Sequence, residues 1–470
     1  MLNAATYLRR ELLIRLVRAF DKGTLREDID RIPVKLRPKD SDASRCCVYH
    51  DRAVIKYRLM ALLGISAEEE TDEAKTLVEM LDEVIGAVSP AAAPQASEAR
   101  NAPLSVCGPA CSGCPDSRVV STANCRGCFA RPCVYSCPKN AISVTGGRSV
   151  IDHEKCIKCG KCLSACPFHA LVKTTVPCED SCPVGAIRKN SGGVAEIDFR
   201  RCIFCGKCFM ACPFGAVMER SQIVGVLSAM KRGEKLVAMV APAADRQFPG
   251  TIEQLLSACV KAGFSDVIEV ALGAEKTAQH ETEEFLERMA ENPKTFMTTS
   301  CCPAYVNLIG KHLPELVEHV SLTPSPMVYA HEMVRAADPE AKTVFVGPCV
   351  AKRSEAKRKG VDYVLSFEEL GAIFAGRKVD ILSCQPYPVE RAAELTARNF
   401  ARSCGVTEAV LAAATDKIAG FQLSAKQIDG IDRKTCAMLK LYAAGKLPAN
   451  FLEVMACPGG CVNGPCSLVT

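Results

Sequence analysis

Three short segments of the 470-residue chain carry cysteines in settings suited to an inorganic cluster. The first is residues 299–303, Thr-Ser-Cys-Cys-Pro; the second surrounds Cys349, and the third contains Cys457 and Cys461. Successive side chains diverge along an extended chain, so Cys301 and Cys302 are not expected to bind one cluster in the same way. Counting one cysteine of that pair, the segments supply four thiolates, enough for one 4Fe-4S cubane. The other cysteine is free for different chemistry.

Most cysteines, 17 of the 29 in the chain, lie between Cys107 and Cys212 in repeated units. Bacterial ferredoxins use the spacing Cys-x2-Cys-x2-Cys-x3-Cys-Pro, in which three thiolates bind one cubane and the fourth binds its neighbour. Two runs have this spacing: Cys156, Cys159, Cys162 and Cys166, and Cys202, Cys205, Cys208 and Cys212. A run with a longer middle gap and a truncated unit complete the set: Cys125, Cys128, Cys133 and Cys137, and Cys178 and Cys182. Internal repetition therefore predicts two tandem ferredoxin-like modules.

The repeated units predict four accessory 4Fe-4S cubanes, which would form a wire for electrons. We expect three complete cubanes on Cys125, Cys128, Cys133 and Cys166; on Cys137, Cys156, Cys159 and Cys162; and on Cys182, Cys202, Cys205 and Cys208. Cys178 and Cys212 then supply two of the four ligands of a fourth cubane. Two of the three upstream cysteines, Cys107, Cys111 and Cys114, would supply the others. Those three also have the spacing of a radical-SAM cluster. That alternative is disfavoured because ferredoxin units follow them, and not the strands and helices of a barrel.

Composition limits the classes of function and the compartment. The formal net charge of +5 is small for this length, Trp is absent and aromatic residues are few, which disfavours a nucleic-acid platform. A slightly basic surface would suit an acidic electron carrier, although ordinary solubility explains it as well. No signal peptide opens the sequence, and the cysteine spacing suits metal rather than disulfides, which favours a cytoplasmic location. No apolar run reaches the roughly 18 residues that span a bilayer, although attachment through another subunit stays open.

Periodicity divides the chain into four parts and indicates a multidomain fold. Residues 1–88 have helical spacing and are predicted to form an all-α cap or docking segment, and residues 89–103, rich in Ala and Pro, a linker. Residues 104–220 hold the ferredoxin-like α+β modules, and residues 221–470 alternate strands and helices, which predicts an α/β domain. Its predicted strands are 236–242, 267–270, 343–346 and 451–455, and its predicted helices include 251–262 and 282–290. The strand at 343–346 would deliver Cys349 from its carboxyl end, where α/β sheets place ligands.

The three cysteine segments of the α/β domain together resemble the signatures of one family. Residues 299–303 read TSCCP, residues 348–352 read PCxxK, and residues 455–464 read MACxxGCxxG. In this order and at these separations they resemble the iron-only ([FeFe]) hydrogenases. The resemblance covers residues 103–470 well and the helical segment loosely. It implies a two-lobed α/β catalytic domain with its site in the cleft between the lobes, and reversible reduction of protons to H2 by a ferredoxin-dependent oxidoreductase.

The resemblance also implies a cofactor. The family's H-cluster is a 4Fe-4S cubane bridged to a di-iron unit that carries CO, cyanide and an azadithiolate. By this resemblance Cys461 both binds the cubane and bridges to the di-iron unit, and the cubane ligands are Cys302, Cys349, Cys457 and Cys461. Dedicated maturation enzymes would install the cofactor, and a ferredoxin-like carrier would exchange electrons with the accessory clusters.

Further residues match family positions that handle protons and the di-iron ligands. Cys301 resembles the proton-donating cysteine, and Lys352 resembles the lysine that addresses a cyanide ligand; the alternative for Lys352 is a surface lysine. Four residues stand at the family's relay positions: Glu281, Glu284, Arg288 and Ser321. Glu281, Glu284 and Arg288 also fit one exposed helix face, and that alternative stays open.

Several positions depart from the best-known family pattern. Gly347 stands where many members carry Met, Met327 stands where a Gln is common, and residues 464–468 read GPCSL instead of a GGGQP-like sequence. With the helical front and the ferredoxin modules, these features resemble the less-studied group B branch. Cys466 is either an extra thiol near the cluster or structural filler. Two other functions stay open: a hydrogenase-related iron-sulfur relay or assembly protein without di-iron chemistry, and an H2 sensor.

Overall fold

The computed structural model describes residues 3–44, 46–70, 72–86, 102–111, 113–292, 295–389, 391–417, 423–446 and 448–469. Most of the predicted linker, residues 89–103, lies outside these described residues. No helix within them is both long and apolar enough to cross a lipid bilayer.

The front of the chain is helical, as its periodicity predicts. The first helix buries an apolar face that includes Leu12 and Leu16, and packs on helix Phe367–Arg377 of the α/β domain. Two ion pairs join the same elements, Arg377 with Asp21 at 2.8 Å and Arg10 with Glu368 at 3.0 Å. The helices are Ala4–Asp21, Leu25–Asp28, Ile32–Leu36, Val48–Leu62 and Leu77–Gly86. Because its buried side chains are continuous with the core of the α/β domain, this segment is a built-in part of that core and not a separate cap.

Two ferredoxin-like modules follow, and one is inserted in the other. Strand Leu104–Val106 pairs antiparallel with Val217–Glu219, so residues 102–117 and 175–219 form one unit, the enclosing module. Residues 118–174, the inserted module, have their own core and are closed by the pairing of Arg118–Ser121 with Leu171–Thr174. The strands are Leu104–Val106, Arg118–Ser121, Ile142–Thr145, Arg148–Ile151, Leu171–Thr174, Ile187–Lys189, Ala195–Ile197 and Val217–Glu219; the helices are Gly108–Cys111, Pro132–Tyr135, Lys161–Ala165, Pro177–Ser181 and Lys207–Ala211.

The α/β domain has two parallel sheets. The four-stranded sheet has the order Asp266–Glu269, Leu236–Val240, Lys342–Val346, Tyr363–Leu365, and the three-stranded sheet the order Met297–Thr298, Phe451–Met455, Ala425–Asp429. Their central strands are buried along their whole length, as expected for sheets covered on both faces. The helices are Ile223–Lys231, Ile252–Lys261, Val270–Glu291, Pro303–His312, Pro326–Ala337, Ala351–Lys359, Phe367–Arg377, Leu395–Arg398, Gly405–Lys417 and Arg433–Ala443.

Two predicted elements of this domain differ from the structure, and the others agree to within one or two residues. The helix predicted at 282–290 spans Val270–Glu291, because its small residues pack closely on helix Pro326–Ala337. A Cβ at Gly273 would collide with the carbonyl of Pro326. The strand predicted at 236–242 ends at Val240, because Pro242 begins a short 3-10 turn and has no N–H to donate to a sheet.

Candidate active site

The accessory cysteines converge in four groups of four. Three small cavities are lined by Cys125, Cys128, Cys133 and Cys166; by Cys137, Cys156, Cys159 and Cys162; and by Cys111, Cys114, Cys178 and Cys212. The fourth group is close enough for its thiols to raise one another's pKa: Cys182, Cys202, Cys205 and Cys208. Four cysteine thiolates are the ligand set of a 4Fe-4S cubane, in which each thiolate binds a different iron atom.

A backbone hydrogen bond marks the last cysteine of each ferredoxin unit. In each unit this Sγ accepts from the N–H of the alanine four residues later, at 3.3, 3.4, 3.2 and 3.3 Å for Cys137, Cys166, Cys182 and Cys212. The donors are all buried: Ala141, Ala170, Ala186 and Ala216. Hydrogen bonds to cluster sulfurs are one determinant of reduction potential, so the repeated alanine positions a donor as well as filling the core.

The insertion of one module in the other explains how the truncated unit is completed. Cys111 and Cys114 precede the inserted module in sequence, and in space they join Cys178 and Cys212. The Sγ of Cys111 also accepts a 3.1 Å hydrogen bond from the N–H of Ala195. Cys107 does not line this cavity; its backbone N–H donates to the carbonyl of Ala216 at 2.7 Å and continues the strand pairing. Of the three candidate ligands, the structure therefore brings Cys111 and Cys114, and not Cys107, to the cavity of Cys178 and Cys212.

We expect Cys114→Ala to lower the iron content of the reconstituted protein by about four atoms, the content of one cubane. Cys107→Ala is the matched control, because Cys107 belongs to the same segment but lies outside the four groups. It should retain all of the iron. Iron analysis of both variants decides the assignment, and an equal loss from the two would contradict it.

The three cysteine segments of the α/β domain meet at a cavity of about 80 Å³ between its two sheets. Cys302 begins helix Pro303–His312, Cys349 follows strand Lys342–Val346, and the loop after strand Phe451–Met455 brings two more thiols. The four are Cys302, Cys349, Cys457 and Cys461. Apart from thiols and Lys352, the wall is made of apolar side chains and glycine, including Ala241, Val270, Met327, Phe345, Phe400 and Met455.

The residues around this cavity fit an iron-sulfur cubane. Burial raises the pKa of Cys349 and of Cys461 to about 12, so both thiols are protonated unless a metal displaces the proton. Sulfur donors in a dry apolar shell are what a cubane requires. Gly460 allows the last loop to approach closely, since its φ is +94° and a Cβ there would collide with the carbonyl of Ala401.

Of the three departures from the family pattern, Met327 lines this cavity, and Gly347 packs against Phe345, which lines it as well. Gly347 has no room for a side chain, because a Cβ there would lie 2.7 Å from Cε1 of Phe345. The Phe345 ring and the fully buried Met327 line the wall instead. The side chains of Phe345 and Met327 make this part of the wall apolar, and neither side chain is a hydrogen-bond donor.

Lys352 is the cation of the cavity. Its side chain is 10% exposed, so the alternative of a surface lysine is wrong. Nζ donates to Glu355 Oε2 at 2.6 Å, to Ser325 Oγ at 2.9 Å and to the carbonyl of Cys301 at 3.4 Å. Burial lowers the pKa of Lys352, but the Glu355 carboxylate and the thiols of Cys349 and Cys301 together outweigh burial, and the net shift is upward. The ammonium group therefore stays charged and is held rigidly at the wall.

The predicted proton-handling residues lie near one another, from the cavity to the partly exposed Arg288. Cys301 lines the cavity, and burial followed by the charge of Glu281 raises its thiol pKa well above the usual value. Ser321 lies next to Glu281 and donates to Glu284 Oε2 at 2.8 Å. Arg288 donates to Glu284 Oε1 at 2.6 Å and has a side chain 21% exposed. The alternative of a fully exposed helix face is wrong, because Glu281 is fully buried and Glu284 largely so.

The two carboxyl groups of this series have opposite pKa shifts. Burial, followed by the charge of Glu284, raises the pKa of Glu281 to about 8. No described residue makes a well-formed hydrogen bond to its oxygens, although Ser321 and the N–H of Ser300 lie near enough to oppose the rise. Burial also acts on Glu284, but there the N–H of Leu322, two hydroxyls and Arg288 outweigh it and lower the pKa. Near neutral pH Glu281 is therefore protonated and Glu284 ionised, as in an acid and base pair.

The raised pKa of Glu281 makes stability depend on pH. Between the ordinary carboxyl value of 4.5 and about 8, folded Glu281 keeps a proton that the unfolded chain has lost. The contribution of Glu281 to the free energy of unfolding is therefore complete below pH 4.5. It is lost as the pH rises to about 8, and the free energy of unfolding falls by roughly 5 kcal/mol over this range. Denaturant unfolding of the wild type and of Glu281→Gln, at equal cluster loading from about pH 5 to pH 9, should give curves that diverge as pH rises. Parallel curves would contradict the assignment.

Two family models match segments of the chain that carry these cysteines. The family described as "Iron only hydrogenase large subunit, C-terminal domain" matches residues 234–465, and "4Fe-4S binding domain" matches residues 149–172 and 195–218. The chain is an iron-only hydrogenase-like protein. Its fold combines ferredoxin-like iron-sulfur motifs with a hydrogenase catalytic domain.

Relatives of this hydrogenase-like protein include both hydrogenases and assembly factors. Iron hydrogenase 1 of Clostridium pasteurianum is 27% identical over 70% of this chain and 66% of its own length. The periplasmic [Fe] hydrogenase large subunit of Nitratidesulfovibrio vulgaris is 27% identical over 52% of this chain and 72% of its own. The cytosolic Fe-S cluster assembly factor NAR1 of Eremothecium gossypii is 25% identical over 45% and 61%. A solved structure of [FeFe]-hydrogenase HydA1 from Chlamydomonas reinhardtii aligns with 50% of this chain and 80% of its own, at 22% identity and a TM-score of 0.44.

Three residues that contact Lys352 or act on Cys301 were not predicted from the sequence of this hydrogenase-like chain: Glu355, Glu453 and Ser325. Glu355 was detectable, since it stands three residues after Lys352 on one helix, an ion-pair spacing. Glu453 was also detectable, because a carboxylate in a buried apolar strand needs partners. It accepts hydrogen bonds from Cys404 N–H at 2.8 Å and Thr407 Oγ at 2.7 Å, and its charge acts on Cys301. Ser325 left no signal, because its role depends only on tertiary contact with Lys352.

Proposed function

We propose that this protein reversibly reduces protons to H2 and oxidises H2, at a di-iron site bridged to a cubane on Cys302, Cys349, Cys457 and Cys461. The observation that carries the proposal is the position of Cys301. It lines the same cavity as the four thiols, and the buried carboxyl of Glu281 lies near enough for its charge to raise the pKa of the Cys301 thiol. A protein that only stored or relayed electrons would have no need for a titratable thiol backed by a protonated acid.

The chain's own groups would divide the work. When bound, the H-cluster supplies the metal centre at which protons and electrons combine. Cys301 Sγ would hold a proton at the cavity wall, and the Glu281 carboxyl, protonated near neutral pH, would replace it. Ser321 and Glu284 would return the proton to Glu281, with Arg288 at the outer end. Lys352, charged and held by Glu355 and Ser325, would donate to a cyanide ligand, and the apolar wall would exclude water.

Electrons would reach the cavity from the enclosing module. Cys205 belongs to a proposed accessory cubane and also lines the central cavity. A contact between the two sites is supported by Gly206, where a Cβ would lie 2.7 Å from the Pro465 ring. Four accessory cubanes would then connect this point to the inserted module and to a ferredoxin-like carrier.

The match to NAR1-type assembly factors favours a second candidate, an iron-sulfur relay or assembly protein without di-iron chemistry. The discriminating feature is Cys301 together with Cys461, which such a protein has less need to keep. A regulatory H2 sensor would share the cofactor and differ in slow turnover.

Infrared spectroscopy of the matured protein separates these candidates. Co-expression with competent maturation enzymes should produce CO and cyanide stretching bands, because small diatomic ligands of the di-iron unit absorb where protein does not. Full iron content without such bands would overturn the hydrogenase proposal in favour of the relay. CO and cyanide bands together with only slow H2 turnover would support the sensor.

A further inference from the structure

Positive charge is concentrated in the inserted module. Residues 118–174 contain nine Lys and Arg and two Asp and Glu, a net charge of +7, whereas the whole chain has +5. The rest of the protein is therefore slightly acidic, at −2. Among the described residues, Lys155 alone of these nine cations forms an ion pair, with Asp152 at 3.1 Å. The other eight are left to attract a partner.

Exposed aromatic side chains stand within two residues of three ligands of one proposed cubane of this module, Cys128, Cys133 and Cys166. Phe129 is 101% exposed, Tyr135 85% and Phe168 46%. The cavity of Cys125, Cys128, Cys133 and Cys166 is also lined by Phe168 and by the exposed Arg126 and Arg131. Single exposed apolar residues are normal, but aromatic residues grouped with arginine are typical of protein interfaces. We name Arg126, Phe129, Arg131, Tyr135 and Phe168 the docking face.

The inserted module stands apart from the rest of the protein, whereas the enclosing module is embedded in it. The described hydrogen bonds of residues 118–174 join them only to one another and to Asp116. In contrast, Lys311 of the α/β domain donates to the carbonyls of Phe199 and Cys202, both at 2.8 Å. Within the described structure, the docking face is thus accessible to another molecule.

We infer that the docking face binds a small acidic protein that carries one electron at a time, over the cubane of Cys125, Cys128, Cys133 and Cys166. This inference rests on the proposed function and names the surface at which its electrons enter or leave. The reduced carrier loses one electron and the cubane gains it, with no proton or group transferred. Complementary charge would steer the encounter. Phe129 directly follows the ligand Cys128, so a carrier that contacts Phe129 would lie close to the cluster.

Stopped-flow reduction of the holoprotein's accessory clusters by a reduced acidic two-cluster bacterial ferredoxin tests this inference. The variant Arg126→Glu/Arg131→Glu should lower the bimolecular rate constant about tenfold or more at low salt and flatten its salt dependence. The control Lys261→Glu/Lys434→Glu changes net charge equally at exposed positions of the α/β domain and should change the rate less than about twofold. Iron content is checked in each variant. If the arginine variant loses iron, Phe129→Ala/Tyr135→Ala replaces it and should weaken ferredoxin binding several-fold.

Two results would overturn the inference. One is an equal loss of rate in the control variant, or none in either docking-face variant. The other is binding of the holoprotein to phosphatidylglycerol vesicles, lost in Arg126→Glu/Arg131→Glu, together with an unchanged ferredoxin rate, since the face would then be a membrane contact. The readout is bleaching of the accessory clusters and needs no H2 chemistry. A failure of the proposed hydrogenase activity, measured with a small viologen dye, is therefore distinguishable from a failure of docking.

Discussion

Cys301→Ser is expected to lower H2 turnover by at least about 100-fold while iron content and the CO and cyanide bands stay those of the wild type. Cys301 is the cavity thiol that the proposed ligand set does not use, so its loss should leave the cluster assembled. A serine hydroxyl releases a proton far less readily than a thiol, so the last step of proton delivery would fail. Turnover with a viologen dye, combined with infrared spectroscopy, measures both parts of this expectation.

The matched control is Cys436→Ser, a half-buried cysteine on helix Arg433–Ala443, away from the cavity wall. It should retain nearly full turnover. Two results would count against the role of Cys301: turnover that survives the substitution, or loss of iron, which would make Cys301 a ligand.

Glu281→Gln is expected to reduce turnover by about 100-fold or more, because the amide cannot pass a proton between Ser321 and Cys301. Glutamine has nearly the same shape as the protonated carboxyl, so packing and cluster content should be retained. The raised pKa of about 8 adds a signature in the pH profile. Turnover limited by proton delivery to Cys301 should fall in the wild type as pH rises past about 8, and this limb should be missing from the residual activity of the variant.

Glu283→Gln tests whether the effect is specific. Glu283 stands on the same helix but is exposed and forms an ion pair with Lys417 at 2.6 Å. Its replacement makes the same Glu-to-Gln change on the same helix without touching the buried series, and turnover should stay within about twofold of the wild type. Equal losses in the two variants would show that the rate responds to any such substitution on this helix, and not to the loss of a proton path through Glu281.

Much of the cluster chemistry was predictable because cubane ligands recur at short spacings. Cys156, Cys159 and Cys162 reach one cluster from a single loop, and the structure groups them with Cys137 as the repeat predicts. The choice between Cys107, Cys111 and Cys114 was not predictable. It depends on the pairing of Leu104–Val106 with Val217–Glu219, which joins segments more than 100 residues apart and leaves Cys107 outside the group.

The elements of the α/β domain were predictable where apolar runs are short and β-branched, as at Lys342–Val346. The prediction missed the first half of helix Val270–Glu291, because its alanines and Gly273 carry little periodic signal and are helical through close packing on helix Pro326–Ala337. The helical front was predicted as helix but not as part of the α/β core, because the apolar face of a helix does not indicate which element it packs against. The domain boundaries stay predictions.

For this protein the sequence by itself determined which atoms can bind iron, because ligand type and local spacing are properties of the chain. Only the tertiary structure decided that Glu281 is uncharged near neutral pH and lies near Cys301, that Lys352 is buried between Glu355 and Ser325, and that Phe345 fills the space beside Gly347. The physical reason is that protonation, charge and cavity shape depend on burial and on neighbours distant in the chain.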